Sequence, residues 1–170
     1  MLQQPLPEEN ETGIDSVIPA PDSVSFTTLL KAYCAPPNAR TTPQALEKAE
    51  TLLGQMYDLY HHGGMMAAKP NVISFTTVMN GYRHLQQPEK AQQVLHRLED
   101  LYRQSEDEDD WKPDVAAYNS VLLAWARSGN LSATHEFLQY MYEEGLARPN
   151  EVSFNTVLTC LLYTSPSPRD

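Results

Sequence analysis

The sequence has little positive charge, few cysteines and no long apolar run. Its 170 residues carry 12 Lys and Arg against 22 Asp and Glu, a formal net charge of −10. That balance argues against nucleic-acid binding by charge, because phosphates attract Lys and Arg and repel carboxylates. Cys34 and Cys160 are too few for a disulfide framework. No run approaches the roughly 18 apolar residues of a membrane span, so we expect a globular, water-soluble chain without membrane contact.

The negative charge is concentrated in two places. Glu8, Glu9, Glu11 and Asp15 lie near the start, and residues 106–110 form an unbroken acidic run. Without these nine acids, 13 acids face 12 bases, and the remaining chain has a net charge near −1. The charge argument against nucleic acid therefore weakens, because most of the chain is close to neutral.

Both ends of the chain have unusual composition. We expect residues 1–20, which are acidic and Pro-rich, to form a disordered leader; an organellar transit peptide would be rich in Arg and Ser. Either targeting is absent or Met1 is not the native start. The C-terminal Cys160–Asp170 resembles the translation of a common sequencing adapter, so we predict a non-native tail and a native protein that continues beyond Thr159. An ordinary unstructured C-terminus is the alternative.

One ten-residue pattern occurs four times without gaps, as expected of a repeat architecture. Each copy has Pro, then Asp or Asn, and an aromatic residue at its sixth position. The prolines are 49, 43 and 36 residues apart. The four copies are Pro21–Leu30, Pro70–Met79, Pro113–Leu122 and Pro149–Leu158.

Each copy has the features of a helix start. Asp or Asn after Pro is a typical N-cap, since its side chain accepts hydrogen bonds from unpaired backbone N–H groups. Apolar residues then follow at i, i+3, i+4 and i+7, the spacing of one helix face. These stripes are Phe26, Leu29, Leu30 and Tyr33; Phe75, Val78, Met79 and Tyr82; Tyr118, Val121, Leu122 and Trp125; and the shorter Phe154, Val157 and Leu158.

A second amphipathic helix is predicted after each of the first three copies. Its apolar faces are Ala45, Leu46, Ala49, Leu52, Leu53 and Met56; Ala91, Val94, Leu95, Leu98 and Leu101; and Leu131, Thr134, Phe137, Leu138 and Met141. Neither helix of a pair buries its face alone, so we expect stacked antiparallel hairpins. We place this array at 21–159, with repeats starting near residues 23, 72, 115 and 151 and the fourth incomplete.

These segments resemble the pentatricopeptide repeat (PPR) family. The resemblance covers about Pro21 to Thr159 and is most specific in the ten-residue pattern and in the turn segment Ala124–Leu131. The related tetratricopeptide repeat has a different pattern, which this sequence lacks. The resemblance implies an all-α, right-handed solenoid of stacked helical hairpins, although long insertions in the first two units depart from the family.

The resemblance also implies RNA binding, because PPR arrays bind single-stranded RNA with one base per repeat. In the family, one specificity residue follows the aromatic residue and the other follows the Pro that ends the repeat. The implied pairs are Thr27 with Asn71, Thr76 with Asp114, and Asn119 with Asn150, while Asn155 has no partner. The positions that sandwich the bases are Val24, Ile73, Ala116 and Val152.

The implied RNA site is 5′-A-G-C/U-pyrimidine. In the family, Thr with Asn favours adenine, Thr with Asp favours guanine, and Asn with Asn favours a pyrimidine. The resemblance further implies a monomer in a mitochondrion or chloroplast, working in RNA processing, editing, stability or translation, with other RNA-processing proteins as possible partners.

Other interpretations remain open at this stage. The Asp and Asn residues after each Pro could be helix caps and nothing else, and the aromatic residues fit a core better than base-stacking platforms. The near-neutral body would also suit a helical scaffold that binds proteins. We expect no catalytic residues, metal site or cofactor in this segment, because no known catalytic or metal-binding motif occurs. We interpret the acidic run as a solvated insertion.

Overall fold

A computed structural model describes residues 22–34, 42–105 and 109–164. The predicted leader, the Pro-rich turn near residues 36–41, most of the acidic run and the last six residues lie outside this part of the chain. The described segments are helical, without β-strands. The α-helices are α1 (Ser23–Tyr33), α2 (Pro43–His61), α3 (Val72–His84), α4 (Pro88–Gln104), α5 (Val115–Arg127), α6 (Leu131–Glu143) and α7 (Glu151–Thr164), and short 3-10 turns occur at Met66–Ala68 and Asp109–Trp111.

The four repeated segments each open a helix, because their Asp or Asn side chains cap the first turn. Asp22 Oδ1 accepts from the Ser25 N–H at 2.8 Å, and Asp114 Oδ1 accepts from the Ala117 N–H at 2.8 Å. Asn71 and Asn150 cap α3 and α7 in the same way, at 3.0 and 3.2 Å. The caps therefore fix where α1, α3, α5 and α7 begin.

The helices form stacked antiparallel hairpins. α1 packs against α2, α3 against α4, and α5 against α6. In addition, α1, α3, α5 and α7 pack against one another in sequence, and each second helix packs against the first helix of the next unit. The first helices therefore lie side by side along one face of the stack.

The core lies between the two helix layers. Phe75, Tyr118, Met79 and Leu122 are each no more than 1% exposed. At Gly81, a Cβ would lie 2.3 Å from Leu46 Cδ2, so a larger residue there would have to displace the buried Leu46 side chain between α3 and α2. The aromatic residues of the first three copies are thus core residues.

The predicted apolar stripes are wrong at three positions. Leu29 in α1 is 42% exposed, and Phe154 and Leu158 in α7 are 49% and 55% exposed. Their counterparts in the inner helices, such as Val78 and Leu122, are fully buried. α1 and α7 lie at the two ends of the described stack, and a stripe is covered completely only where hairpins pack on both sides.

The segment between α2 and α3 packs against the segment between α4 and α5. Trp111 is 3% exposed, and its Nε1–H donates to the Pro70 carbonyl oxygen at 2.7 Å. Lys69 Nζ lies 2.9 Å from Asp110 Oδ2 and 5.5 Å from the centre of the Trp111 ring. Tyr60 meets the same ring edge-on at 5.8 Å. Asp110, the one acid of the run whose side chain is described, is therefore paired rather than only solvated.

A buried carboxylate joins α4, α5 and α6. Glu99 is fully buried and accepts hydrogen bonds from the Tyr118 hydroxyl and, at 2.6 Å, from the Tyr140 hydroxyl. Its Oε2 also lies 3.1 Å from His96 Nδ1. Burial alone would raise the pKa of Glu99, but the hydrogen bonds from His96, Tyr118 and Tyr140 lower it. Tyr118 is thus held by a charge-assisted hydrogen bond as well as by packing.

Candidate nucleic-acid interface

The second residue of each first helix is exposed. Val24, Ile73 and Val152 are 69%, 59% and 56% exposed, and Ala116 is exposed as well. This position lies two residues before the aromatic residue of the repeat, on a different side of the helix. Because the first helices lie side by side, the exposed aliphatic side chains form a row along one face. These four residues are those predicted to sandwich bases.

In the third repeat, the structure brings both predicted specificity residues into direct contact. Asn119 Nδ2 donates to Asn150 Oδ1 at 3.2 Å, across the contact between α5 and α7. Ser153, which is fully buried, lies beneath the pair, and its hydroxyl donates to Asn119 Oδ1 at 2.6 Å. Its backbone N–H donates to Asn150 Oδ1. Ser153 thus forms hydrogen bonds to both amides.

In the first repeat, a serine again links the two predicted residues. Ser74 is 1% exposed, and its N–H and Oγ both donate to Asn71 Oδ1, at 3.0 and 3.2 Å. The Oγ of Ser74 also lies 3.4 Å from Thr27 Oγ1. Thr27 donates to the Ser23 carbonyl at 2.6 Å. Ser74 therefore lies between the predicted partners, bonded to Asn71 and in contact with Thr27.

The second repeat differs because Ala117 occupies the position of these serines. Asp114 accepts from the Ala117 N–H, and the alanine side chain offers no hydroxyl at this position. The Thr76 Oγ1 atom is buried and lacks a hydrogen-bond partner. Asp114 itself is exposed. Thr76 in α3 and Asp114, the cap of α5, thus lie on neighbouring helices. Ala117, at the position of Ser74 and Ser153, provides no side-chain hydroxyl to connect them.

Clefts run between the first helices beside these residues. A cleft of about 490 Å³ is lined by Ala116, Asn119, Asn150 and Val152, together with Arg83. It contains the third predicted pair and both flanking sandwich residues.

A second cleft, of about 560 Å³, is lined by Val152, Asn155 and Arg127 among others. Asn155 is exposed. Each cleft therefore combines an amide, an aliphatic side chain and a cation, a set of groups that suits a base and its phosphate.

Sequence reasoning missed Ser74, Ser153 and the two arginines. The serines stand three residues after the caps, where ordinary capping already accounts for them. The pKa of Arg83 is lowered by burial and by the charge of Arg127, and the pKa of His84 is lowered by burial and by both arginines. Positive groups on α3 and α5 therefore repel one another beside the clefts, although the chain as a whole is acidic.

The described residues contain no group of three or more His, Cys, Asp or Glu side chains placed to hold a metal ion. None of the helices in the same part of the chain is both long and apolar enough to cross a membrane.

Family models match two segments of this chain. The pentatricopeptide repeat domain matches residues 104–161, and the PPR repeat matches residues 73–101. Together they cover just over half of the sequence.

Curated plant proteins are similar to the chain over most of its length. A pentatricopeptide repeat-containing protein of Arabidopsis thaliana is 25% identical over 148 residues, which are 87% of this chain and 22% of the relative. A second one from the same plant, described as chloroplastic, is 24% identical over 139 residues, or 81% of this chain and 15% of the relative. The chain thus spans less than a quarter of each of these relatives.

A solved structure shares the fold. The crystal structure of the pentatricopeptide repeat protein PPR10 from maize superposes with a TM-score of 0.59 and 21% identity, covering 85% of this chain and 18% of that one. The predicted all-α solenoid is confirmed by this match and by the stacked hairpins. The chain therefore belongs to the pentatricopeptide repeat family.

Proposed function

We propose that the face formed by the first helices binds single-stranded RNA, one base per repeat. The observation that carries this proposal is the third repeat, where Asn119 and Asn150 meet in a cleft between two exposed aliphatic residues, Ala116 and Val152. Polar groups at the base of a cleft with aliphatic walls suit a flat base, which stacks on its faces and forms hydrogen bonds at its edge.

The chemistry of each pair supports the RNA site 5′-A-G-C/U-pyrimidine. Asp114 offers only acceptors when ionised, which suits the two donors on the Watson–Crick edge of guanine. Asn71, next to Thr27, and the two amides of the third repeat can donate to acceptors on adenine or a pyrimidine. Asn155 contributes one amide toward a pyrimidine at the fourth position.

The chain on its own should bind RNA weakly. Each stacked base contributes roughly 1–3 kcal/mol, and three or four bases must offset an association cost of about 4–15 kcal/mol. With a net charge of −10, the protein gains little from general attraction to phosphates. We therefore expect no tight complex at physiological salt, and a nanomolar Kd for this chain would contradict the estimate.

We propose that the protein acts in organellar RNA metabolism, by positioning a transcript for processing, editing, stabilisation or translation. The similarity to a plant protein described as chloroplastic supports an organelle. In this proposal the repeats act by binding, and catalysis belongs to other proteins or other domains.

The double change Asn119→Thr with Asn150→Asp tests the function. It copies the chemistry of Thr76 and Asp114 into the third repeat, so preference at the third base should shift from pyrimidine to guanine. Binding to RNAs of sequence 5′-A-G-N-U, with N each of the four bases, measures the shift by NMR titration. The variant Gln139→Thr, on an exposed part of α6, is the control. A protein scaffold would show no dependence on the base, and that result would contradict the proposal.

A further inference from the structure

The buried serines between the predicted pairs carry a further inference, which rests on the proposed function. Ser153 and Ser74 stand three residues after the caps Asn150 and Asn71, and each contacts both members of its pair. We propose that Ser153 and Ser74 are positioning residues that fix which hydrogen-bonding groups the repeat offers to a base.

The orientation of the third pair follows from the serine backbone. The Ser153 N–H can donate only to an oxygen, so the Asn150 atom 3.2 Å away is Oδ1 and its Nδ2 lies on the other side. The Asn119 atom that meets Asn150 Oδ1 must then be a donor, Nδ2, at 3.2 Å. The remaining Asn119 oxygen accepts from the Ser153 hydroxyl at 2.6 Å. One serine thus determines the orientation of both amides.

This orientation leaves the pair with donors. Asn150 keeps both hydrogens of Nδ2, and Asn119 keeps one. Asn150 Oδ1 already accepts from Asn119 Nδ2 and the Ser153 N–H, and Asn119 Oδ1 accepts from the Ser153 hydroxyl. Donors match the ring nitrogen and carbonyl oxygen that cytosine presents and the carbonyl oxygens of uracil. Without the Ser153 hydroxyl, Asn119 keeps only its hydrogen bond to Asn150 Oδ1, so its amide is held less firmly and turns more readily to offer an acceptor.

The first repeat follows the same rule through Ser74. The Ser74 N–H and hydroxyl occupy Asn71 Oδ1, which leaves Nδ2 as the free group of that amide. The second repeat has Ala117 instead, and its Asp114 needs no orientation, because both oxygens of an ionised carboxylate are acceptors. A hydroxyl at this position thus accompanies the amide cap in both complete amide-containing pairs and is absent beside Asp114, the carboxylate of the remaining pair.

Ser153→Ala in the 170-residue chain tests the role, with Ser153→Thr as the rescue. We expect the preference for cytosine over adenine at the third base to fall by about threefold to tenfold in the alanine variant, which is the range of one neutral hydrogen bond. The threonine variant keeps the hydroxyl and should restore the preference. The probes are the four 5′-A-G-N-U RNAs, followed by NMR titration. Without RNA, the Asn119 side-chain amide signals should also shift in the alanine variant.

Ser25→Ala is the matched control. Ser25 makes the same contacts to its cap, with N and Oγ each 2.8 Å from Asp22 Oδ1, but it contacts no predicted specificity residue in the described part of the chain. Its loss should leave the third-base preference unchanged. If Ser153→Ala keeps the wild-type preference for cytosine over adenine at the third base, the positioning role is wrong, although the proposed function still stands. Equal affinity of the wild type for all four RNAs overturns the proposed function, and this role with it.

Discussion

Helices α5 and α7 begin with the same sequence pattern but differ in how much of it is buried. Tyr118 in α5 is fully buried, whereas its counterpart in α7, Phe154, is 49% exposed. The second residues of the two helices, Ala116 and Val152, are exposed in both. α4 and α6 cover Tyr118, while α6 is the one second helix packed on α7 in the described residues. Burial of the aromatic residue therefore depends on neighbouring hairpins. Exposure of the second residue depends only on its position in the first helix, because it is the same in both helices.

The largest expected effect comes from truncating the two aromatic residues. Tyr118→Ala should lower the free energy of unfolding by about 3–5 kcal/mol, because it leaves a cavity in the core. Phe154→Ala should cost only about 1 kcal/mol, since half of that ring already contacts water. Urea unfolding of both variants, followed by circular dichroism, measures the difference. Equal losses would show that the two helices are covered alike.

Removal of the acid that binds Tyr118 should have the next largest effect. Glu99→Ala leaves the hydroxyls of Tyr118 and Tyr140 without their acceptor, which should cost about 3 kcal/mol.

Glu50→Ala is the control for this change. Glu50 is exposed and accepts from one hydroxyl, that of Tyr82 at 2.6 Å, so its loss should cost less than about 1 kcal/mol. Urea unfolding again gives both values. A Glu99→Ala variant as stable as Glu50→Ala would contradict the role of the buried carboxylate in holding α5.

A smaller, pH-dependent effect is expected at His96. Its hydrogen bond to Glu99 raises the pKa of His96 above 6.5, despite partial burial. A raised pKa stabilises the fold fully below pH 6.5, and this contribution disappears as the pH rises through the folded-state pKa. The free energy of unfolding of the wild type should therefore be about 1 kcal/mol higher than that of His96→Gln at pH 6, after allowance for solvent screening.

Urea unfolding at pH 6 and at pH 8.5 measures this contribution. The difference in free energy of unfolding between the wild type and His96→Gln should be smaller at pH 8.5 than at pH 6. Titration of Glu99 does not cause this pH dependence. Because the pKa of Glu99 is lowered, its contribution to the free energy of unfolding is constant above about pH 5. A gap that widens with pH would contradict the assigned contact.

The sequence predicted those features that are determined locally. Asp22, Asn71 and Asp114 mark helix starts, because a cap acts on N–H groups two or three residues away. The apolar period likewise predicts which helix face is buried, although Leu29, Phe154 and Leu158 remain exposed at the ends of the described stack.

The features that the sequence did not reveal join residues far apart in the chain. Ser153 reaches Asn119 across 34 positions, and Lys69 reaches Asp110 across 41. Glu99 lies among the apolar residues of α4, and its partners Tyr118 and Tyr140 are on two other helices. A local pattern identifies a cap or a stripe, but it does not show which distant side chain a polar group will meet.

The central claim is that the row of exposed aliphatic residues is the RNA-binding face. Methyl NMR of the 170-residue chain tests it directly, by addition of the RNA 5′-A-G-C-U. We predict that the methyl signals of Val24, Ile73, Ala116 and Val152 shift together, while those of the buried α4 residue Leu95 stay in place. Shifts confined to the second helices, or no shifts in the four methyl groups at saturating RNA, would contradict the account.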